Sequence, residues 1–224
     1  MCLTLTGNLC AEDIVFPAAA EGKGFVDITK SPYNADKTGV IDATSAIQSA
    51  VNTINGSGKT IYFPNGTYLI SNTIAYPNLS NGQLPRFIKM QGQSEAGVVW
   101  KLKNSCSGFT NPSFPKAMLE TGHDVAQCFG MAVKNMTFNT GTGNAGAIGL
   151  RFYSNNTGSA KYITIVSGDG NGAIGLDLFW QNENGPLFCK NITVNGFNIG
   201  VNTGSCQNSQ TIEHLTLLNQ KQYG

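Results

Sequence analysis

The chain has 224 residues, a net charge of +1 and only 12% charged residues, enough length for one large domain or two small ones. The near-neutral balance, with no run of lysines and arginines, argues against nucleic acid or an anionic membrane as the main partner. No apolar run reaches the ~18 residues that a transmembrane helix needs, and 27 glycines among many asparagines and threonines favour turn-rich β structure.

The first 23 residues form an N-terminal segment ahead of the predicted domain. Its start, MCLTLTGNLCA, has the apolar character and small final residue of the end of a secretory signal peptide, but it lacks the charged beginning of one. A frayed terminus explains the same residues equally well. We expect the domain itself to cover residues 24–224.

The first regular element that the sequence predicts is a helix over residues 42–54, with Asp42 as its N-cap. Its apolar stripe consists of Ala46, Ile47, Ala50, Val51 and Ile54. The sequence Asn-Gly-Ser-Gly at 55–58 ends the helix. Alternating apolar residues then predict short strands at 61–63, 68–70, 86–90 and 98–102, and a loop between residues 104 and 115.

From residue 131 onward, two short motifs repeat in alternation. The first occurs as KNMTF (134–138), KYITI (161–165), KNITV (190–194) and EHLTL (213–217), with its threonines 27, 29 and 23 residues apart. The second occurs as AIGLRF (147–152), AIGLDLF (173–179) and NIGVNT (198–203). Such short strands at this period predict successive coils of an all-β, right-handed, single-stranded parallel β-helix.

This fold predicts the direction of each repeated side chain. The residues on either side of each threonine should point inward, and the threonines should stack outward as a ladder. The helix at 42–54 should cap the N-terminal end. The chain stops after the fourth copy without a capping element, so we expect it to be the N-terminal part of a longer protein.

Part of the chain resembles a known family. The run VDITKSPYNADKTGVIDATSAIQSAVNTI, followed by GKTIYFPNGTYLIS, is similar to the N-terminal signature of the pectate lyase superfamily, in its rhamnogalacturonase/epimerase-like group. The signature is kept at Asp42-Ala43-Thr44, at Ala46-Ile47-Gln48 and at 63–68, whereas its Gly-Asp-Gly is replaced by ADKTG at 35–39. The resemblance covers about residues 24–224 and implies the fold more strongly than the reaction, because this scaffold carries hydrolases, lyases, epimerases and non-catalytic domains.

A later stretch, IGLRFYSNNTGSAKYITIVSGDGNGAIGLDL, looks more like bacterial relatives of glycoside hydrolase family 55. In that family two β-helices lie side by side, and the catalytic acid belongs to the second. The resemblance therefore implies that this chain packs on a second β-helix of the same protein and that the acid lies beyond residue 224. The sequence motifs of glycoside hydrolase family 28 are absent; Gly122-His123-Asp124 matches only two letters of one of them.

Alignment of the second motif places Arg151, Asp177 and Asn202 at one position in three successive coils. Strand alternation predicts that these side chains point outward and form a column about 4.8 Å apart. An outward row of this kind is suited to binding sugar hydroxyls. The plainer interpretation is a solvent-exposed ion pair that contributes about 0–1 kcal/mol, and we favour it.

Glycoside hydrolysis needs two carboxyl groups, and Asp169 with Glu183 is the candidate catalytic pair. Asp169 lies in a Ser-Gly-Asp-Gly turn where an aspartate also commonly binds its own backbone. Glu183 lies on a longer loop beside Trp180, which is either a platform for a sugar ring or ordinary loop packing. His214 is expected in a ladder of turn residues.

The sequence suggests no metal site and no cofactor, because the thirteen acidic residues are scattered and the cysteines form no CxxC pair. A disulfide between Cys106 and Cys128 is the most plausible pairing, and Cys189 is expected to be a buried free thiol. We expect a secreted or periplasmic polysaccharide-degrading enzyme, a glycoside hydrolase similar to β-1,3-glucanases, acting on a polysaccharide. The alternatives are a non-catalytic carbohydrate-binding or structural β-helix, or a polysaccharide lyase.

Overall fold

The computed structural model describes residues 13–16, 22–123, 127–179, 183–203 and 209–224, and the elements below are those of this part of the chain. It contains the helix α1 (Thr44–Ile54) and short strands that pair in parallel. The strands are β1 (Phe25–Asp27), β2 (Thr38–Asp42), β3 (Thr60–Phe63), β4 (Gly66–Ile70), β5 (Ile74–Ala75), β6 (Lys89–Gly92), β7 (Val98–Leu102), β8 (Lys116–Glu120), β9 (Ala132–Asn139), β10 (Ala147–Arg151), β11 (Gly158–Val166), β12 (Gly172–Asp177), β13 (Leu187–Asn195), β14 (Phe197–Asn202) and β15 (Gln210–Leu218).

The strands form two parallel sheets that the chain visits alternately. Sheet A contains β1, β3, β6, β9, β11, β13 and β15, together with β2, β4 and β7. Sheet B has the order β14-β12-β10-β8-β5. Each strand pairs with the strand one coil away along the helix axis, so the predicted fold class, a parallel β-helix with an N-terminal capping helix, is confirmed.

Sheet A is bent along its length into two faces. The bend in each long strand falls on Asn135, Tyr162, Asn191 or His214, whose φ angles are 56°, 56°, 55° and 55°. The first half of β9 accordingly pairs with β6 and its second half with β7. His214 therefore belongs to a ladder of turn residues, as predicted.

The first repeated motif stacks as predicted. Thr137, Thr164, Thr193 and Thr216 are register partners in β9, β11, β13 and β15. The side chains beside them form two buried columns, Met136–Ile163–Ile192 and Phe138–Ile165–Val194, each at most 1% exposed. Leu215 continues the first column in β15 but is 37% exposed, because β15 has a neighbouring coil on one side only.

The helix α1 covers the N-terminal end of the core. Four of its five predicted stripe residues are buried, and Ala46 packs against the core while partly exposed. The Gln48 side-chain amide donates a hydrogen bond to the Ala75 carbonyl and accepts one from the Ala75 N–H, which satisfies the outer edge of β5. Asp42 lies one position before the N-cap, Ala43, but its carboxylate still accepts the Thr44 N–H at 2.8 Å.

The connections at the two edges of sheet B differ in length. Those from sheet A to sheet B, at 140–146, 167–171 and 196, become shorter along the chain. A Cβ placed on Gly168 would lie 2.6 Å from the Gly141 carbonyl oxygen, so adjacent turns at this edge are in tight contact. The connections back to sheet A, at 152–157, 178–186 and 203–209, leave from the ends of β10, β12 and β14.

The predicted disulfide between Cys106 and Cys128 is wrong. Neither cysteine forms a disulfide and both are buried; the thiol of Cys106 donates to the Ser71 carbonyl and that of Cys128 to the His123 carbonyl. Cys189 is also a buried free thiol, as predicted, and stacks in register on Ala160.

Candidate functional site

The predicted column exists, and it extends over one more coil than predicted. Arg151 is the register partner of Asp177, and Asp177 is the register partner of Asn202. On the other side, Arg151 is the register partner of Glu120 at the end of β8. The four residues, which we call the polar column, end four successive strands of sheet B where the connections to sheet A begin.

Arg151 joins two carboxylates within the polar column. Its Nη1 lies 3.0 Å from Oε2 of Glu120, and its Nε lies 3.0 Å from Oδ2 of Asp177. The second carboxylate oxygen of Asp177 accepts hydrogen bonds from the Asn202 side-chain amide at 3.0 Å and from the Phe179 N–H at 3.2 Å. The Asp177 carboxylate therefore accepts hydrogen bonds from residues of three successive coils, Arg151, Phe179 and Asn202.

The expectation that the column is exposed to solvent is wrong. The side chains of Glu120, Arg151 and Asp177 are 20%, 10% and 3% exposed. They do lie on the outer side of the strand, since the residues before and after Arg151 and Asp177 all belong to the hydrophobic core. Burial raises the pKa of the Asp177 carboxyl, while the charge of Arg151 opposes that rise.

Asp169 stabilises the turn in which it lies. Its carboxylate accepts the Gly143 N–H at 2.7 Å and the Asn171 N–H at 3.1 Å, so it ties two successive turns together. Burial alone would raise the pKa of Asp169, but these hydrogen bonds outweigh it and hold the pKa below its usual value. This arrangement matches the predicted turn role of Asp169.

Asp169 and Glu183 do not come together as the candidate catalytic pair. Asp169 precedes β12, whereas Glu183 follows it, and the six residues of β12 span roughly 20 Å at ~3.3 Å per residue. That separation exceeds the ~6.5–9.5 Å of an inverting pair. The Glu183 backbone carbonyl accepts the Asn155 side-chain amide. Trp180, the proposed sugar platform, lies outside the described residues.

A groove on the outer face of sheet A is a feature that the sequence reasoning missed. Lys134, Lys161 and Lys190 are consecutive register partners in β9, β11 and β13. Together with Lys89 they line a groove of about 500 Å³ that also contains Tyr162 and Phe188. The sequence has no run of basic residues, but the coil register assembles one, and the lysine that begins three of the repeated pentapeptides was its signal.

A smaller depression of about 200 Å³ adjoins this groove at Tyr162 and contains Glu95 and His214. The Glu95 carboxylate accepts the hydroxyl of Thr164 at 2.7 Å. Burial raises the pKa of Glu95, although this hydrogen bond acts in the opposite direction. Glu95 therefore anchors the loop between β6 and β7 to the threonine ladder.

Within the described ranges, no group of three or more His, Cys, Asp or Glu side chains is arranged to hold a metal ion. The same part of the chain contains no helix that is long and apolar enough to cross a membrane.

Two solved structures are similar to this fold. ORF18 of Geobacillus virus E2 superposes with a TM-score of 0.58 at 16% identity, covering 86% of this chain and 42% of its own. The catalytic domain of Agl-KA superposes with a TM-score of 0.60 at 16% identity, covering 95% of this chain and 34% of its own. This chain therefore spans less than half the length of either, and at such identities the likeness shows the fold alone.

The sequence itself identifies the family. The family described as rhamnogalacturonase A/epimerase, pectate lyase-like, matches residues 26–223, and the chain belongs to it. A comparison with curated proteins gives no match. The narrower resemblance to glycoside hydrolase family 55 stays a prediction.

Proposed function

We propose that the chain is the β-helix of a secreted polysaccharide-degrading enzyme, a glycoside hydrolase of the β-1,3-glucanase type, with the polar column as its reaction site. The observation that carries this proposal is the pair of carboxylates, Glu120 and Asp177, that meet one guanidinium at the strand ends of sheet B. Membership of a pectate lyase-like family supports a polysaccharide as the substrate. A second β-helix packed against this one remains part of the proposal, whereas the proton donor, which the resemblance to family 55 places beyond residue 224, is here assigned to Asp177.

The geometry is compatible with hydrolysis by two carboxyl groups. Glu120 and Asp177 end strands that are two coils apart, about 10 Å at ~4.8 Å per coil. Both side chains bend toward Arg151, so their carboxyl groups lie closer than their backbones, as the ~6.5–9.5 Å of inverting enzymes requires. The guanidinium stands between them and would have to move aside to admit a water molecule.

The two carboxyl groups lie in different surroundings, as an acid and a base must. Burial raises the pKa of Asp177 and the charge of Arg151 opposes that rise, so Asp177 becomes suited to donate a proton once the guanidinium has moved aside. Glu120 is 20% exposed, which suits a base that activates water. In this assignment Arg151 holds both groups in place before substrate binds.

A non-catalytic carbohydrate-binding or structural β-helix is the second candidate, and one observation favours it. The members of the polar column bind one another and are largely buried, as in a structural ion-pair network. A polysaccharide lyase is distinguished from a hydrolase by its product, because β-elimination leaves an unsaturated sugar that absorbs ultraviolet light.

The test is to incubate the chain with laminarin, pectin and alginate and to measure both new reducing ends and unsaturated product. We expect reducing ends from laminarin, and a loss of about 10²–10⁴-fold in Asp177→Asn, because the amide cannot donate the catalytic proton. Glu120→Gln should lose activity similarly. Asp169→Asn is the matched control, since Asp169 is also a hydrogen-bonded aspartate but lies at the other edge of sheet B.

Each assay is run well below the unfolding temperature of the variant, so that lost stability is not mistaken for lost catalysis. Unchanged activity in Asp177→Asn, or no product from any of the three polymers, would contradict the proposal and favour the non-catalytic candidate. Secretion is tested separately by locating the protein in culture medium, periplasm or cytoplasm after expression of its complete reading frame.

A further inference from the structure

The depression that contains Glu95 lies at the bend of sheet A marked by Tyr162, beside the threonine ladder. We call it the Glu95 pocket, a space of about 200 Å³ lined by Glu95, Tyr162, Asn191, Thr193, His214 and Thr216. Glu95 comes from the loop between β6 and β7, and the other five residues come from β11, β13 and β15. Among these six residues Glu95 is the one acidic side chain, and none is a lysine or an arginine. The pocket therefore combines a single carboxylate with hydroxyl, amide and ring groups.

The Glu95 carboxylate uses one of its two oxygens within the described part of the protein. Its Oε1 accepts the hydroxyl of Thr164 at 2.7 Å, whereas no described residue donates a hydrogen bond to Oε2. No described lysine, arginine or histidine forms an ion pair with this carboxylate. Burial raises the pKa of Glu95, and the Thr164 hydroxyl is the one group that acts against this rise. A cation bound beside Oε2 would compensate this partly buried charge.

The threonine ladder supplies further acceptors next to Oε2. The hydroxyls of Thr137 and Thr164 both donate to Glu95, the first to its backbone carbonyl at 2.9 Å and the second to its carboxylate. Thr193 is the next member of the ladder, ~4.8 Å further along, and its hydroxyl bonds to no other described residue. Asn191, two residues earlier in the same strand, adds a side-chain carbonyl oxygen. An ammonium group carries three N–H donors and no acceptor, so these oxygens match its hydrogen-bonding requirement.

Tyr162 limits the shape of an occupant. Its ring lines both the Glu95 pocket and the groove beside it, so it forms the wall between them and offers apolar surface to a short aliphatic chain. Lys134, whose ammonium lies 5.7 Å from the centroid of this ring, lines the groove and not the pocket. The volume of about 200 Å³ is below the ~300–1,000 Å³ of typical ligand pockets, so a narrow occupant is required.

We propose that the Glu95 pocket binds a primary ammonium group at the end of an unbranched aliphatic chain, as carried by a free diamine or by a lysine side chain of a partner. The Glu95 carboxylate pairs with the ammonium, Thr193 and Asn191 accept its remaining N–H groups, and the methylene chain packs on Tyr162. This inference does not rest on the proposed hydrolase activity.

A divalent metal ion is the less suitable occupant. Ca²⁺ takes about 6–8 oxygen ligands and is commonly held by several carboxylates. The Glu95 pocket offers one carboxylate, and within the described ranges no group of three or more His, Cys, Asp or Glu side chains is placed to hold a metal. A singly charged group with its own N–H donors fits one carboxylate and neutral acceptors better.

The experiment titrates the chain with diaminobutane, a lysine blocked at both ends, butanediol and tetramethylammonium, by calorimetry at low salt. We expect both primary amines to bind, the uncharged diol not to bind, and tetramethylammonium, which has no N–H donor, to bind more weakly than diaminobutane. Glu95→Gln should weaken amine binding about ten-fold or more, because a charge-assisted hydrogen bond is lost. Thr193→Val, which keeps the branched shape of the side chain, should weaken it about two- to ten-fold.

Glu213→Gln is the matched control for charge. It removes the same charge from an exposed carboxylate of sheet A that already pairs with Lys190 at 3.2 Å, so amine binding should not change. Tyr162→Asn should weaken the binding of both amines while the chain stays folded, because asparagine occupies the same bend position at Asn135 and Asn191. Urea unfolding of each variant shows whether a loss of binding reflects a folding defect.

Four outcomes would overturn the proposal: no binding of either amine, unchanged binding in Glu95→Gln, equal losses in Glu95→Gln and Glu213→Gln, or binding of butanediol as tight as that of diaminobutane. The last result would mean that the pocket recognises hydroxyl groups rather than a cation. Binding of diaminobutane without the blocked lysine would assign the pocket to free amines, and the reverse result to a lysine of a partner.

The same titration separates this inference from the proposed hydrolase. Asp177→Asn, which removes the proposed proton donor, should bind diaminobutane as the unaltered chain does. Hydrolysis without amine binding overturns only the Glu95 pocket, and amine binding without hydrolysis overturns only the reaction site.

Discussion

Replacing Arg151 with methionine tests the energetic role of the polar column. Methionine keeps an unbranched side chain but removes the guanidinium that joins Glu120 and Asp177. Asp177 is then left as a carboxylate with 3% of its side chain exposed and no opposite charge at 3.0 Å. Removing one partner of a buried ion pair costs about 3–5 kcal/mol of the free energy of unfolding, because the remaining charge is desolvated without compensation.

The chain offers a matched comparison at the exposed ion pair between Lys190 and Glu213. These side chains are 36% and 47% exposed, and their charged atoms lie 3.2 Å apart. Lys190→Met removes a cation in the same way, but solvent already screens this pair, so we expect a loss of about 0–1 kcal/mol. The contrast between the two variants isolates the effect of burial.

The free energy of unfolding that Arg151→Met loses should depend on pH. Without the guanidinium, only the hydrogen bonds from Phe179 and Asn202 still oppose the effect of burial, so the pKa of Asp177 rises further above the ordinary value of 3.8. The folded state then retains a proton that the unfolded state has lost, so stability falls as pH rises through this raised pKa. The variant should therefore be closer to the unaltered chain at pH 4 than at pH 7.

Urea unfolding followed by circular dichroism, at both pH values, measures these differences. A deficit below about 1 kcal/mol at pH 7, similar to that of Lys190→Met, would refute the argument that Arg151 compensates buried charge. A deficit of the expected size that is equal at pH 4 and pH 7 would refute its electrostatic origin and indicate lost packing instead.

Three further predictions concern the core. Gly92→Ala should cost about 3 kcal/mol or more in urea unfolding, since a Cβ there would overlap the Asn135 carbonyl oxygen. Ile163→Ala should cost about 2–5 kcal/mol in the same assay, and Leu215→Ala clearly less, because Leu215 is 37% exposed whereas Ile163 is fully buried. The Cys189 thiol should resist alkylation until the chain unfolds, because burial raises its pKa to about 12; peptide mass spectrometry measures the labelling of this site.

Each of these predictions has its own comparison. Gly24→Ala should change stability little, since nothing lies within 4 Å of a Cβ placed there, and a similar loss at Gly92 and Gly24 would contradict the steric argument. Equal losses of stability in Ile163→Ala and Leu215→Ala would mean that solvent exposure does not determine how much a residue of this column contributes to the free energy of unfolding. Rapid alkylation of Cys189 in the absence of urea would show that the coil around it opens readily.

The repeated motifs made the coil register predictable from the sequence. Because Arg151, Asp177 and Asn202 each follow the same Gly-x pair in their motif, alignment alone placed them one above another. Glu120 was missed because its strand, KAMLE, lacks the Ile-Gly of the motif, although Ala117 and Leu119 keep the apolar alternation.

Burial of the polar column could not be read from the same pattern. Period-two alternation shows only that a side chain points away from the core, and connections elsewhere in the sequence decide whether solvent reaches it. The groove on the outer face of sheet A was missed for a related reason: Lys134, Lys161 and Lys190, which line it, lie 27 and 29 residues apart and become neighbours only when a coil closes. The distance between Asp169 and Glu183 likewise depends on which edge of sheet B each connection leaves from.

The two edges of sheet B differ in how closely successive connections pack, and this difference affects where the sequence can change during evolution. At the edge where the chain enters sheet B, Gly168 lies against Gly141 of the preceding coil, and a side chain at Gly168 would press against that coil. At the other edge, segments such as 178–186 leave the sheet after the last paired residue, so their length can vary while every pairing partner stays in place. Insertions and deletions should therefore accumulate beside the polar column, which allows new specificities to be tried there without reworking the scaffold.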